Sequence, residues 1–464
     1  MPRPCMLSNR SPILACAATA LILATVSPAH DMAPDLAAKM STPAEDQVQA
    51  GESPSALVSH ALKHNPGIKA AEYRVKSLRT SPAHTWSLES PQIGVEFYQA
   101  PVRSFPNPLK NQMEVDYSIQ QAFPFPGKIG ARIEAEHRLV EMGESDLQTL
   151  KTRITRRVKS AYYELYLLDR RMEFNRENLS LMGRFIEAAR RQYEVGMGRQ
   201  ADILRAQSEL TALKSDSIAL LQTRRAQEGM LNAILNRKTG AAIAVANILA
   251  PAKADWTLEQ VLPLVHAHHP GLQAMRSAIR VRAAEKTVAK KEYFPEFMVG
   301  GAYKNMLEAP PGAHPDDLED YWSVMVGMSV PIAFWSLPKH KAGVVQSEAN
   351  LSQAEQEYEE MRNMTLARAQ EAWLKAESGR ELVRLSAMVL LPQARQALES
   401  NQAAYQGGKG EFMTLLDAYR MRLMAMENSE MALMRLLTSQ AELEEAVGLG
   451  WDEMENRISE GAGK

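Results

Sequence analysis

The sequence predicts a mainly α-helical protein with a small β part, built as a tandem duplication of one unit: strand, strand, long helical hairpin. Three observations predict it. In a chain of 464 residues only 6% are aromatic, and Ala, Leu, Glu, Arg, Gln and Met dominate, a bias that favours long helices. One phrase is written twice. "QYEVGMGRQADILRAQ" at 192–207 overlays "AYQGGKGEFMTLLDAY" at 404–419 with a shift of 212, so Tyr193 meets Tyr405, Gly196 meets Gly408, Gly198 meets Gly410, Leu204 meets Leu416 and Ala206 meets Ala418. Further landmarks repeat in the same order: Pro66 and Pro270, and Pro91 and Pro295, differ by 204, and Pro124 and Pro331 by 207. A period of roughly 200 residues is far too long for a solenoid repeat. It divides the chain into units at 54–250 and 251–450.

The N-terminus reads as a secretory signal. Arg3 and Arg10 precede the apolar run "PILACAATALILATV", about 15 residues, too short for a membrane span. Ser27 and Ala29 supply the small residues for cleavage after Ala29. The apolar run follows Cys16, where a lipidation motif needs it in front. Cys5 and Cys16 both precede the cut, so the mature chain would hold no disulfide, thiolate metal site or catalytic thiol. Residues 30–53 and 451–464 show no periodicity and are expected to be flexible tails.

Each unit opens with a helix, roughly 54–80 and 257–292, beginning near "HNPGI" and "HHPGL". Strands follow at about 91–100 and 112–123, and again at about 295–304 and 321–331. Met113, Val115, Tyr117 and Ile119 alternate with Glu114, Asp116, Ser118 and Gln120. Val324, Val326, Met328 and Val330 alternate with Ser323, Met325, Gly327 and Ser329. Period two means one apolar and one polar or small face. A half-buried hairpin in a soluble domain would show this pattern, and so would a strand crossing an outer membrane, which needs about ten tilted residues. Four strands cannot close a barrel, and open edges cannot sit in lipid, so the membrane reading demands an oligomer.

Helical hairpins are expected at about 128–238 and 339–447. Ile154, Val158, Ala161, Leu165, Leu168 and Met172 are spaced as a coiled-coil seam, as are Leu416, Tyr419, Leu423, Met426, Glu430, Leu433 and Leu437, with one polar lapse at Glu430. Pro392 should kink or overwind the descending helix of the second hairpin. The Tyr-Gly-Gly phrases are the hairpin tips, since glycine is costly inside a helix and favoured at its end.

A formal net charge of −2 leaves no electrostatic footprint for nucleic acid. No phosphate loop, HExxH or GxSxG is present, so the chain reads as a non-enzyme without a cofactor. Five methionines crowd into 421–434, where thioethers could bind Cu(I) or Ag(I), but core packing is the simpler reading. "HAHHP" at 266–270 could likewise hold a metal, though its place at a helix end favours a structural role.

The ordered set, present twice, of an NP-I opening, two strands, a strand ending in Pro, and long helices meeting at Y-x-x-G-x-G resembles the TolC-family outer-membrane efflux proteins over about 54–448. The resemblance implies a homotrimer with a 12-stranded outer-membrane β-barrel, continued by a periplasmic α-helical coiled-coil barrel. It implies outer-membrane lipid, a periplasmic adaptor (membrane fusion) protein and an inner-membrane RND-type pump as partners. The tips, Tyr193, Val195, Gly196, Gly198 and Asp202 in the first copy and Tyr405, Gly407, Gly408, Gly410 and Thr414 in the second, would dock the adaptor. Gly407 and Thr414 depart from the family's Val and Asp. Glu399 would line the tunnel-mouth constriction, with Gln402 a neutral departure beside it. The short "FPFPGK" turn and the general layout are similar to the heavy-metal cation efflux branch, which implies heavy-metal cations as substrate, with drugs the other class. A soluble periplasmic coiled-coil scaffold or adaptor-like protein is the alternative.

Overall fold

A computed structural model describes residues 52–98, 102, 105–107, 114–246, 249–252, 256–307, 319–329, 331 and 334–462. The expected signal segment, all but two residues of the expected N-terminal tail at 30–53, Met113 and Val330 lie outside them. Two compact units form. One lies within Leu88–Pro126 and Phe294–Pro331; the other comprises 52–87, Gly127–Tyr293 and 334–462 of the described residues.

In the helical unit, the opening helix of each half is two helices. Helix α1 (Pro54–His64) stops and α2 (Pro66–Trp86) starts at Asn65. Its Oδ1 accepts from the Gly67 and Ile68 N–H groups at 2.8 and 3.3 Å, and its Nδ2 donates to the Ile234 carbonyl at 2.8 Å. Proline is favoured at a first helical position because its missing N–H would be unpaired there. Later, α5 (Leu258–His268) gives way to α6 (Pro270–Lys291) at His269, whose Nδ1 accepts from Leu272 N–H at 3.1 Å. That bond requires a neutral imidazole. Burial, reinforced by the nearby Arg368 charge, pushes His269 down to about 4.

A pH prediction follows from this cap. The unfolded chain takes up a proton on His269 near pH 6.5, whereas the folded chain resists it to about 4. The stability is therefore complete above about 6.5 and falls as the pH drops toward 4. Allowing for partial solvent screening, the loss is on the order of 2 kcal/mol. Denaturant unfolding at neutral pH and near pH 4.5 should show His269→Asn, which restores the cap used at Asn65, to be less acid-sensitive than the parent. Equal sensitivity would remove His269 from the account.

Helix α3 (Lys128–Glu194) runs 67 residues, about 100 Å at 1.5 Å per residue. It returns as α4 (Gln200–Leu235), ended by Asn236 in the left-handed conformation. The second hairpin rises through α7 (Leu337–Leu385) and α8 (Leu391–Gln406) and returns as α9 (Phe412–Val447). Between α7 and α8 lies one π turn, Ser386–Leu390. The expected kink or overwinding at Pro392 is thus an underwinding. Proline cannot donate to the preceding turn, and an extra residue in that turn accommodates the lost bond.

The α3 seam is buried from Ile154 to Leu168 as spaced, then passes to Phe174 and Asn178 where Met172 is only half-buried. The polar lapse at Glu430 has a partner: Arg170 of α3 reaches it at 3.1 Å. Arg171–Glu427 at 3.1 Å, Lys159–Glu444 and Arg156–Glu445 continue this ladder along α3 and α9. A second heptad seam escaped the sequence reading because its residues are small: Thr365, Ala369, Ala372, Ala376 and Gly379 of α7. A Cβ on Gly379 would meet Leu436 Cβ at 3.2 Å, so α7 and α9 approach closely there.

The end expected to be a tail is instead helix α10 (Trp451–Ala462). Met454 is fully buried with Val261, Val265 and Val447, and the Trp451 ring stacks on Trp256 at 4.6 Å. Trp451, Met454 and Ile458 step by three and four, a helical stripe too short to stand out, and Trp451 and Met454 meet a waiting apolar patch.

The other unit holds one antiparallel sheet of β1 (Gln92–Tyr98), β2 (Glu114–Phe123), β3 (Glu296–Met306) and β4 (Tyr321–Ser329), in that order. β2 of the first half pairs with β3 of the second. The registers Ile93–Ile119, Tyr117–Tyr303, Gly301–Val324 and Val299–Val326 place the apolar sets of all four strands on one face. Ile93, Ile119, Val299, Tyr303, Trp322, Val324 and Val326 are exposed there. The opposite face carries Glu96, Ser118, Gln120, Ser323 and an ion cluster in which Lys304 Nζ reaches Glu114 at 2.6 Å and Asp116 at 2.9 Å. Among the described residues, β1 and β4 are each paired on one side only.

Candidate functional site: the paired helical tips

The two repeated phrases make the same turn. In the first, Val195 N–H donates to Arg191 O at 3.2 Å, Gly196 to Tyr193 O at 3.0 Å, and Met197 and Gly198 both to Gln192 O at 2.8 Å. In the second, Gly407 donates to Ala403 O at 3.0 Å, Gly408 to Tyr405 O at 3.1 Å, and Lys409 and Gly410 to Ala404 O at 3.0 and 3.1 Å. The glycines have separate tasks. Gly196 and Gly408 take φ of +74° and +72°, which side chains resist. Gly198 and Gly410 permit close approach: a Cβ would lie 2.9 Å from Tyr193 N in one and 3.1 Å from Tyr405 N in the other.

The surroundings differ. Tyr193 is 48% exposed, while Tyr405 is 5% exposed and packs edge-on to Phe412 at 5.5 Å. Burial, with the Asp202 charge nearby, pushes the Tyr405 hydroxyl up. Asp202 accepts from Arg199 N–H at 3.4 Å at the start of α4. At the start of α9, Glu411 caps nothing with its side chain, and Thr414 is exposed. Val195 and Gly407 occupy equivalent cap positions, both exposed.

The tips lie side by side. The Gln192 amide donates to the Tyr405 and Gln406 carbonyls at 3.4 and 3.2 Å. Beneath them, Met182, Phe185, Ala206, Leu415 and Tyr419 form one core, with Phe185 edge-on to Tyr419 at 6.0 Å. Two exposed glycine turns are thus carried on a rigid end.

The sequence profile of the outer membrane efflux proteins matches residues 57–237 and 261–449, once around each tip. The chain belongs to this family. Outer membrane efflux proteins sit in the outer membrane with a large periplasmic helical portion, which gives this chain its location. Among the described residues no helix is long and apolar enough to cross a membrane.

Among curated relatives, the outer membrane efflux protein BepC of Brucella suis biovar 1 is 28% identical over 229 residues, 48% of either chain. The chain therefore matches about half the length of that relative. The outer membrane protein TolC of Vibrio cholerae serotype O1 is 20% identical over 68% of this chain and 72% of its own. In fold, the chain resembles the outer-membrane channel OprN with a TM-score of 0.71, at 20% identity, covering 86% of this chain and 90% of that one.

Glu399 is exposed on α8 and pairs with Arg395 one turn earlier at 2.9 Å, while Gln402 is half-buried. Met426, Met431 and Met434 are half-buried as core packing requires, but Met421 and Met424 face outward. In the histidine run, His269 caps α6, and Arg276 approaches the His266 ring and carbonyl at 3.1–3.3 Å. No His, Cys, Asp and Glu group suited to a metal ion occurs among the described residues.

Proposed function

We propose that the chain is the outer-membrane channel subunit of a tripartite efflux system. Three copies, each a duplicated unit, complete a 12-stranded barrel and a helical tunnel. An inner-membrane pump of the RND type and a periplasmic adaptor deliver substrate to the tips. The observation that carries this reading is the sheet. One face is apolar and largely exposed, the other carries the ion cluster with Ser and Gln among small and a few apolar residues, and among the described residues each edge strand is paired on one side only. Closure with other copies would satisfy the edges, turn the apolar face to lipid and the polar face to a water-filled lumen. A soluble scaffold has no use for exposed Trp322, Val324 and Val326 on one face.

For the substrate, the reading is heavy-metal cations, with organic drugs the other class, and it rests on the likeness of the "FPFPGK" turn and the general layout to the heavy-metal branch. Selection would rest largely with the pump. Glu399, three times repeated at the mouth, would favour cations once released from Arg395, which holds it at 2.9 Å within the chain.

Membrane fractionation followed by electrophoresis without boiling should give a detergent-resistant trimer in the outer membrane. A soluble monomer would sink the reading. Deletion should sensitise cells to metal salts more than to organic drugs, and the reverse order would retire the metal assignment.

A further inference from the structure

The helical unit has an end opposite the glycine tips, where α3 and α7 begin and α6 stops. There Lys128 and Arg132 of α3 reach Glu292, just past α6, at 2.9 and 3.0 Å. The Tyr293 and His340 rings, 5.5 Å apart, bring the first turn of α7 alongside. Charge at this end is one-sided. Residues 127–133, 290–293 and 334–347 carry Lys128, Arg132, Lys290, Lys291, Lys339 and Lys341 against a single acid, Glu292, which two of those cations already hold. Lys290, Lys339 and Lys341 are exposed. Just before α7, Phe334 and Trp335 are 80% and 73% exposed and stack edge-on at 4.7 Å. In chain order all three segments adjoin the sheet: Gly127 closely follows β2, Tyr293 precedes β3 and Phe334 follows β4.

We propose that this end binds anionic phospholipid headgroups of the membrane leaflet that faces the periplasm. Charge complementarity names the ligand. Lysine ammonium groups at a membrane surface attract phosphate-bearing anionic lipids. Tryptophan rings settle at headgroup depth, where an apolar body and one N–H donor both find partners. A soluble anion would use the lysines but not the rings, and lysines are depleted where one protein meets another. Rings and lysines together fit a lipid surface, continuous with the apolar face of the sheet that the chain enters from here. Phe334 and Trp335 fix the depth. Lys290, Lys339 and Lys341 choose the charge of the headgroup.

The inference rests on the reading of the sheet as the membrane part, and its test separates the two. The purified full-length protein is exchanged into mixed micelles holding equal amounts of phosphatidylglycerol and phosphatidylethanolamine, and the lipids it retains are counted by native mass spectrometry. The parent should keep phosphatidylglycerol several-fold over phosphatidylethanolamine. Changing Lys290→Gln, Lys339→Gln and Lys341→Gln together should bring the two lipids toward parity, while the trimer survives electrophoresis without boiling. Changing Lys63→Gln, Lys69→Gln and Lys214→Gln removes the same charge from exposed sites elsewhere and should leave the parent's preference. Parity in the parent, a preference that outlasts the triple change at this end, or one lost equally with the remote triple would overturn the proposal. In each of those cases a stable membrane trimer leaves the channel reading standing. A soluble monomer would remove both.

Discussion

Val326→Arg is expected to keep the chain out of the outer membrane. Val326 lies near the centre of β4, 75% exposed on the apolar face, opposite Val299 of β3. An arginine on a lipid-facing barrel strand costs about 2–4 kcal/mol near the bilayer midplane. In the proposed trimer three copies would carry it, so assembly would lose roughly 6–12 kcal/mol. That is comparable to the whole stability of an ordinary domain. Ser323→Arg is the control. It places the same charge on the same strand but on the polar face, where a water-filled lumen would solvate it. Fractionation and unboiled electrophoresis should show Val326→Arg degraded or monomeric and Ser323→Arg as a membrane trimer. Equal tolerance of the two would mean that the apolar face does not meet lipid.

The second large effect is expected at the tips. Gly196→Trp and Gly408→Trp each force a side chain onto a left-handed turn, at a cost of roughly 1–2 kcal/mol. The turn is exposed, and the core beneath it, from Phe185 to Tyr419, is untouched. The trimer should therefore persist in the membrane while the docking surface is blocked. Cells carrying either variant should match the deletion strain in susceptibility. Gly196→Ala carries the same backbone strain with little bulk and should retain efflux. A fully active double tryptophan variant would refute docking at the tips.

Much of the helical unit was legible because its signals are local. The tips could be located from spacing alone, since a positive φ and a close backbone approach each demand glycine, and no other residue substitutes cheaply. The Asn65-Pro66 and His269-Pro270 breaks were also written in the chain. They went unread as breaks because a helical pattern continues on both sides. The α7 seam was missed for a different reason. Its residues, Thr365 to Gly379, are chosen for smallness, and heptads of alanine do not stand out in an alanine-rich chain.

What the sequence by itself determined was the set of elements: alternating strands, long helices and glycine tips, each written twice. Only the tertiary structure decided how the equivalent pieces differ. Tyr193 and Tyr405 share a phrase, yet one is in solvent and the other beneath Phe412. Asp202 accepts from the Arg199 N–H at the start of α4, while Glu411 makes no such cap at the start of α9. Glu430 broke the heptad until Arg170 was seen across from it, and the C-terminal run became a helix because Trp256 and Val261 offered it a surface. Backbone conformation is set by residues a few positions away. Burial and pairing are set by whatever side chain arrives from elsewhere, and a sequence repeat carries no record of that.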